Sequence, residues 1–164
     1  MTALPLLQAL EATAVGTLVR ESLYGFPILV GIHILGLVLS VGLLVWFDLR
    51  LLGLALQSAA VSRVYRRLIP WASVGFAVMF ISGALLFTGY ASAAYKNPFF
   101  WVKLSALLLA GLNAAFYHAV TERSGFDWDG DARPPGAARA AGGVSIALWA
   151  IVIMCGRLMA YTMY

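Results

Sequence analysis

From Leu23 to Phe47 the chain reads LYGFPILVGIHILGLVLSVGLLVWF, with no charged residue and one histidine, His33. At ~1.5 Å rise per residue this run is long enough to cross a hydrocarbon layer of ~30 Å as a helix. A polar side chain near the middle of such a span is costly unless a partner, a ligand or water satisfies it. His33 is therefore a candidate functional residue, and the reading turns on what it faces.

The rest of the composition agrees with a membrane chain. It is 62% hydrophobic and 11% charged, with mean hydropathy +0.89, against about 25% charged residues in soluble domains. The net charge of +4 is no nucleic-acid signature, because the arginines sit beside apolar spans as topology determinants do. The one cysteine, Cys155, excludes an intrachain disulfide and the paired cysteines of a covalently attached haem. No basic segment precedes an apolar core at the start, so a cleaved signal peptide is not expected.

Taken in order, residues 3 to 20 are apolar but interrupted by Gln8, Glu11 and Arg20. They read as one amphipathic helix lying in the membrane interface, and Glu21-Ser22 offers a cap to the next helix. Four spans follow, at about 23–47, 69–90, 98–120 and 141–162. Pro70 is expected to start or kink the second, with Gly75, Ser82 and Gly83 as a small-residue stripe. Asn97-Pro98 marks the start of the third, a capping residue followed by proline at the first helical position. The stretch TERSGFDWDGDARPPGAAR (121–139) reads as an exposed loop. The fold class is an all-α integral membrane up-down four-helix bundle with an interfacial N-terminal helix, in a single domain.

Arg50, Arg63, Arg66 and Arg67 join spans one and two, and Arg123, Arg133 and Arg139 join spans three and four. Arg20 and Lys96 lie at the opposite ends. The positive-inside rule makes the arginine-rich loops cytoplasmic and both termini periplasmic, in a bacterial inner membrane. Trp46 and Trp71 at one interface, and Tyr90, Tyr95, Trp101 and Tyr161 at the other, fit aromatic belts.

Counting along the spans puts His33 roughly 15 Å, Lys103 about 7 Å and Arg157 about 10 Å below the outer surface. His118, about 30 Å along the third span, falls near the opposite interface. The two histidines are thus roughly 15 Å apart in depth, too far to share one iron. The expected constellation is His33 as the single axial ligand of a b-type haem, with Lys103 and Arg157 pairing its propionates. The second axial ligand stays open among Met154, Met79, Lys103 and none. The plain alternative is that Lys103 and Arg157 snorkel outwards on their stems. His118 reads as an interfacial residue paired with Glu122 or lipid, although it stays among the candidate cofactor residues.

Several segments resemble a family of small uncharacterised bacterial four-helix membrane proteins. They are DLRLLG (Asp48 to Gly53), RRLIPW (Arg66 to Trp71), NPFFWVKL (Asn97 to Leu104), LNAAFYH (Leu112 to His118) and GRLMAY (Gly156 to Tyr161). More distantly the chain resembles the copper-resistance D-like and HemJ-like families. The HemJ-like resemblance touches His33 and Lys103, and it implies b-type haem and a membrane protoporphyrinogen oxidase relationship. The copper-resistance D-like resemblance implies copper transport, which the lack of any Met-rich or His-rich outer cluster speaks against.

The functions that follow are three. The first is a membrane b-type cytochrome exchanging electrons with a quinone or a periplasmic partner. The second is a haem-dependent oxidoreductase acting on a porphyrin or lipid-soluble substrate. The third is a cofactor-free scaffold or accessory subunit. The lipid bilayer is the one certain partner, no nucleic acid is expected, and the small-residue faces suit a homo-oligomer or a larger membrane complex.

Overall fold

The computed structural model describes residues 3–124, 128–129, 131 and 133–162, with the side chains of 120–124 outside that description. Among the described residues there are six helices: α1 (Leu4–Glu11), α2 (Ala14–Glu21), α3 (Gly25–Leu52), α4 (Val61–Lys96), α5 (Pro98–Ser124) and α6 (Gly136–Thr162). The last four are each long and apolar enough to cross a membrane. Large apolar side chains such as Leu35, Val38, Ile81, Leu108 and Leu112 stay exposed on their outer faces, as a bundle bathed in lipid requires. The chain is an all-α membrane bundle.

The helices start and stop for local reasons. Ser22 Oγ accepts from the Gly25 amide at 3.0 Å and opens α3. Gly53, with φ 72°, closes it in the left-handed conformation that glycine adopts without strain. Asn97 Oδ1 accepts from the Phe99 amide at 2.9 Å, with Pro98 at the first helical position of α5. The Asn97 amide also donates to Thr162 Oγ1 at 2.7 Å, tying the start of α5 to the end of α6.

The spanning helices are longer than the apolar runs. The α3 and α4 helices extend into the arginine-bearing segment, and α4 begins nine residues before Pro70. Helical dihedrals continue through Pro70, and the one departure inside α4 falls at Tyr90 (φ −139°, ψ 30°). Residues 3–20 form two short helices rather than one. Thr13 Oγ1 accepts from the Gly16 amide at 3.2 Å and restarts the chain as α2. Both short helices pack on the far end of α4, where Gly16 lies against the Thr88 carbonyl. There the bend at Tyr90 leaves the Ser92 amide to Glu11, whose carboxylate accepts it at 2.6 Å. Glu11 thus caps the last turns of α4 from a distance in sequence.

The α3 helix is central, packing on α4 and on α6, while α5 packs on α6. The α3–α4 crossing is a backbone contact. A Cβ on Gly75 would lie 2.5 Å from the Ser40 amide nitrogen, and one on Gly36 would lie 2.8 Å from that of Met79. The small residues at these positions let the axes approach closely. Between α4 and α5 there is little packing, and this side of the bundle stays open.

At the arginine-rich end the segment read as an exposed loop is partly interior. Trp128 is buried in a cluster with Phe47, Leu51, Val61, Val64 and Tyr117. Arg50 is wholly buried. Its Nε donates to the Ala59 carbonyl at 2.8 Å and its Nη2 to the Asp131 carbonyl at 2.9 Å. Asp129 accepts from the Ser62 amide and hydroxyl, so the α5–α6 connection caps α4. Burying such charges is tolerable where fixed carbonyl and hydroxyl partners take the place of water.

Candidate functional site

His33 projects from α3 against α4. Its Nδ1 lies 3.0 Å from Ser82 Oγ, and Gly83 makes room for the ring, since a Cβ there would lie 3.0 Å from His33 Cε1. A serine hydroxyl has one proton to give. Ser82 gives it to the Val78 carbonyl, 2.6 Å away on its own helix. The Ser82 oxygen therefore accepts, and His33 Nδ1–H donates. With the proton on Nδ1, the lone pair is on Nε2, the atom a metal or an acid proton would meet.

Lys103 on α5 comes to this level from the other side of the bundle. Its ammonium is within electrostatic range of His33 and of Cys155 on α6. A Cβ on Gly156 would lie 3.8 Å from Lys103 Nζ, so the lysine runs along a bare patch of α6. Among the described residues no carboxylate pairs with Lys103. Each of the four spanning helices thus contributes to one layer: His33, Ser82 with Gly83, Lys103, and Cys155 with Gly156. An imidazole held by Ser82 and a lysine amine on the Gly156 face of α6, in one partly buried layer, suit a ligand that meets a ring nitrogen and carries an anionic group.

The other candidates lie elsewhere. Arg157 is exposed, with its guanidinium on Tyr161: Nη2 donates to the hydroxyl at 3.3 Å and the cation sits 5.6 Å from the ring centroid. Met154 is 59% exposed and faces out of the bundle, whereas Met79 is buried beside the α3 crossing. His118 Nε2 lies 3.5 Å from Tyr65 Oη. His33 meets α4 at Ser82 and His118 meets it at Tyr65, levels about 25 Å apart at the rise of a helix. His33 and Lys103 are brought together; Arg157, Met154 and His118 are not brought to them. Glu122, the expected partner of His118, has its side chain outside the described residues.

Ser82 stood out in the sequence only as a small residue, and nothing in spacing alone couples it to His33. Asp48, at 3% exposure, and Arg50 were also read as the polar end of a span. Their one sequence signal is an apolar leucine run continuing on both sides of them.

These features define a four-span membrane protein with a polar layer built on a tautomer-fixed histidine. Residues 21–162 match the model of a family of unknown function, DUF6644, and the chain belongs to that family. No curated protein and no solved structure matches it.

Proposed function

We propose that the protein holds a b-type haem through His33 and carries electrons in the bacterial inner membrane. The observation that supports this reading is the Ser82 relay, which leaves His33 Nε2 unprotonated and oriented. An outer partner on the other ring nitrogen is the usual companion of a metal-ligating histidine. The donor set also suits the group. Among the described residues no cluster of three ligating side chains exists for a bare ion, while a porphyrin brings its own four nitrogen donors and needs axial ligands only. Lys103 can carry the charge for a propionate and has no carboxylate partner among the described residues.

In this reading His33 would hold the haem iron, Ser82 would fix the imidazole's orientation, and Lys103 would pair with a propionate. Haem, when bound, supplies a one-electron redox centre whose potential follows from axial ligand, burial and hydrogen bonding. Arg157 and Met154, turned outwards, are left out of the ligand set. The first-span histidine and third-span lysine of HemJ-like proteins support the same pairing. The arginine-rich end faces the cytoplasm and both termini the periplasm, so His33 serves a periplasmic or quinone partner, in a homo-oligomer or larger complex.

The test is an oxidised and dithionite-reduced absorption spectrum of protein purified from haem-supplied cells, with a pyridine haemochrome assay. One b-type haem per chain, lost in His33→Ala, is the expected result. A colourless wild-type protein, or full haem in His33→Ala, overturns the proposal.

A further inference from the structure

The open side between α4 and α5 leads into a cavity of about 280 Å³ in the arginine-end half of the bundle. Its size is just under the ~300–1,000 Å³ usual for ligand pockets, which suits one ring rather than a macrocycle. Its walls are aromatic. Phe76 of α4 and Trp149 of α6 lie 5.2 Å apart between centroids with planes at 33°. Gly111 of α5 opens it further, as a Cβ there would meet nothing within 4 Å.

The polar end of this cavity is unfinished. Asp48 lines it and is 97% buried by the complement of its 3% exposure. Ser145 bonds the carboxyl, but its Oδ2 has no hydrogen-bond partner among the described residues, a condition that costs free energy in a closed protein interior. Asn113, which also lines the cavity, uses an amide N–H on the Ala141 carbonyl at 2.9 Å, leaving its own carbonyl oxygen as an acceptor. The cavity thus joins aromatic walls, a side open towards hydrocarbon, and a polar end with one carboxylate oxygen unpartnered among the described residues.

We propose that this cavity takes the aromatic diol head of a lipid-soluble quinol, whose hydroxyls donate to Asp48 and Asn113. The tail leaves between α4 and α5, where the helices barely pack. The diol gives Asp48 Oδ2 a donor that the described residues do not supply, and the quinone form, lacking hydroxyl protons, does not. Binding at this cavity stands on its own geometry; its use as an electron source rests on the haem reading above.

The test is anaerobic titration of decylubiquinol into the full chain in lipid nanodiscs, with empty discs subtracted and decylubiquinone as comparison. Saturable one-to-one binding of the quinol is expected, at least tenfold tighter than the quinone. Asp48→Leu removes the acceptor, and Gly111→Leu adds bulk at the cavity wall where a Cβ meets nothing within 4 Å; each is expected to weaken binding at least tenfold. No saturable binding, equal affinity for the two forms, or unchanged affinity in either folded variant overturns the proposal. Should one variant fail to fold, the other decides. A colourless protein that binds decylubiquinol refutes the haem reading alone, and a haem-loaded protein that binds none refutes this one alone.

Discussion

Both carboxylate oxygens of Asp129 land on Ser62, one on its backbone amide and one on its hydroxyl, each at 2.6 Å. The two residues are far apart in sequence, and their contact fastens the α5–α6 connection to the first turn of α4. Burial pushes the Asp129 carboxyl up. The Ser62 hydroxyl and amide bonds, with Arg66 and Arg50 nearby, outweigh this and hold it below its ordinary 3.8. A lowered folded value means that the contact stabilises the fold above the unfolded value and ceases to do so as pH falls through the folded one. Asp129→Asn should therefore melt below wild type at pH 6, and the gap should close as pH drops towards 3. A gap unchanged over that range would show that ionisation of Asp129 is not involved.

The imidazole of His33 depends on Ser82 for its tautomer. Ser82→Ala removes the acceptor while keeping the helix and its packing. Loss of such an outer partner typically weakens metal binding by ~10–100-fold. Haem retention during dilution, measured at the Soret band, should fall accordingly in Ser82→Ala and vanish in His33→Ala. Equal retention in wild type and Ser82→Ala would leave the serine no part in holding the ligand.

Glycines in α3 and α4 divide into two kinds. Gly75→Leu inserts a side chain where the Ser40 backbone already sits, and Gly36→Leu does the same at Met79. Overpacking of this kind costs about 1–3 kcal/mol, and more where backbone has to move. A Cβ on Gly31 or Gly42 meets nothing within 4 Å, so alanine there should be tolerated or add up to ~1 kcal/mol of stability. Reversible unfolding in mixed micelles would rank the four variants.

Arg50 serves two carbonyls on different loops, and hydrogen bonds to a charged group contribute ~1.5–3 kcal/mol each. Arg50→Lys keeps the charge and loses the fork that reaches both Ala59 and Asp131. It should destabilise the protein by at least ~1.5 kcal/mol, and Arg50→Ala by more. A lysine variant with wild-type stability would reduce Arg50 to a point charge.

Glu11→Gln should raise hydrogen exchange at the Ser92 amide while leaving the His33 layer unchanged. The amide loses a charged acceptor, and a cap of this sort is worth ~0.5–2 kcal/mol. Exchange read by mass spectrometry of the 88–96 segment tests it.

The four spans, the start at Asn97-Pro98 and the small-residue stripe through Gly75 were legible because they depend on local hydropathy, capping chemistry and side-chain size. The break at Ala12-Thr13 was missed because a run of apolar residues hides a single capping threonine. Pro70 misled because a proline inside a long helix can be accommodated when the surrounding turns are held by a neighbour, here α3.

Hydrophobic length by itself determined that this chain is a membrane bundle, since uncharged runs of that length have few other uses. It also singled out His33 and Lys103, because ionisable groups in apolar spans are conspicuous. Only the tertiary structure decided which of those groups meet. A shift of one residue around a helix turns a side chain by about 100°, so counting depth put Arg157 level with His33 while its rotation carried it outwards. The same rotation brought Ser82 to the imidazole, while packing of α6 buried Asp48 and the two connecting loops buried Arg50.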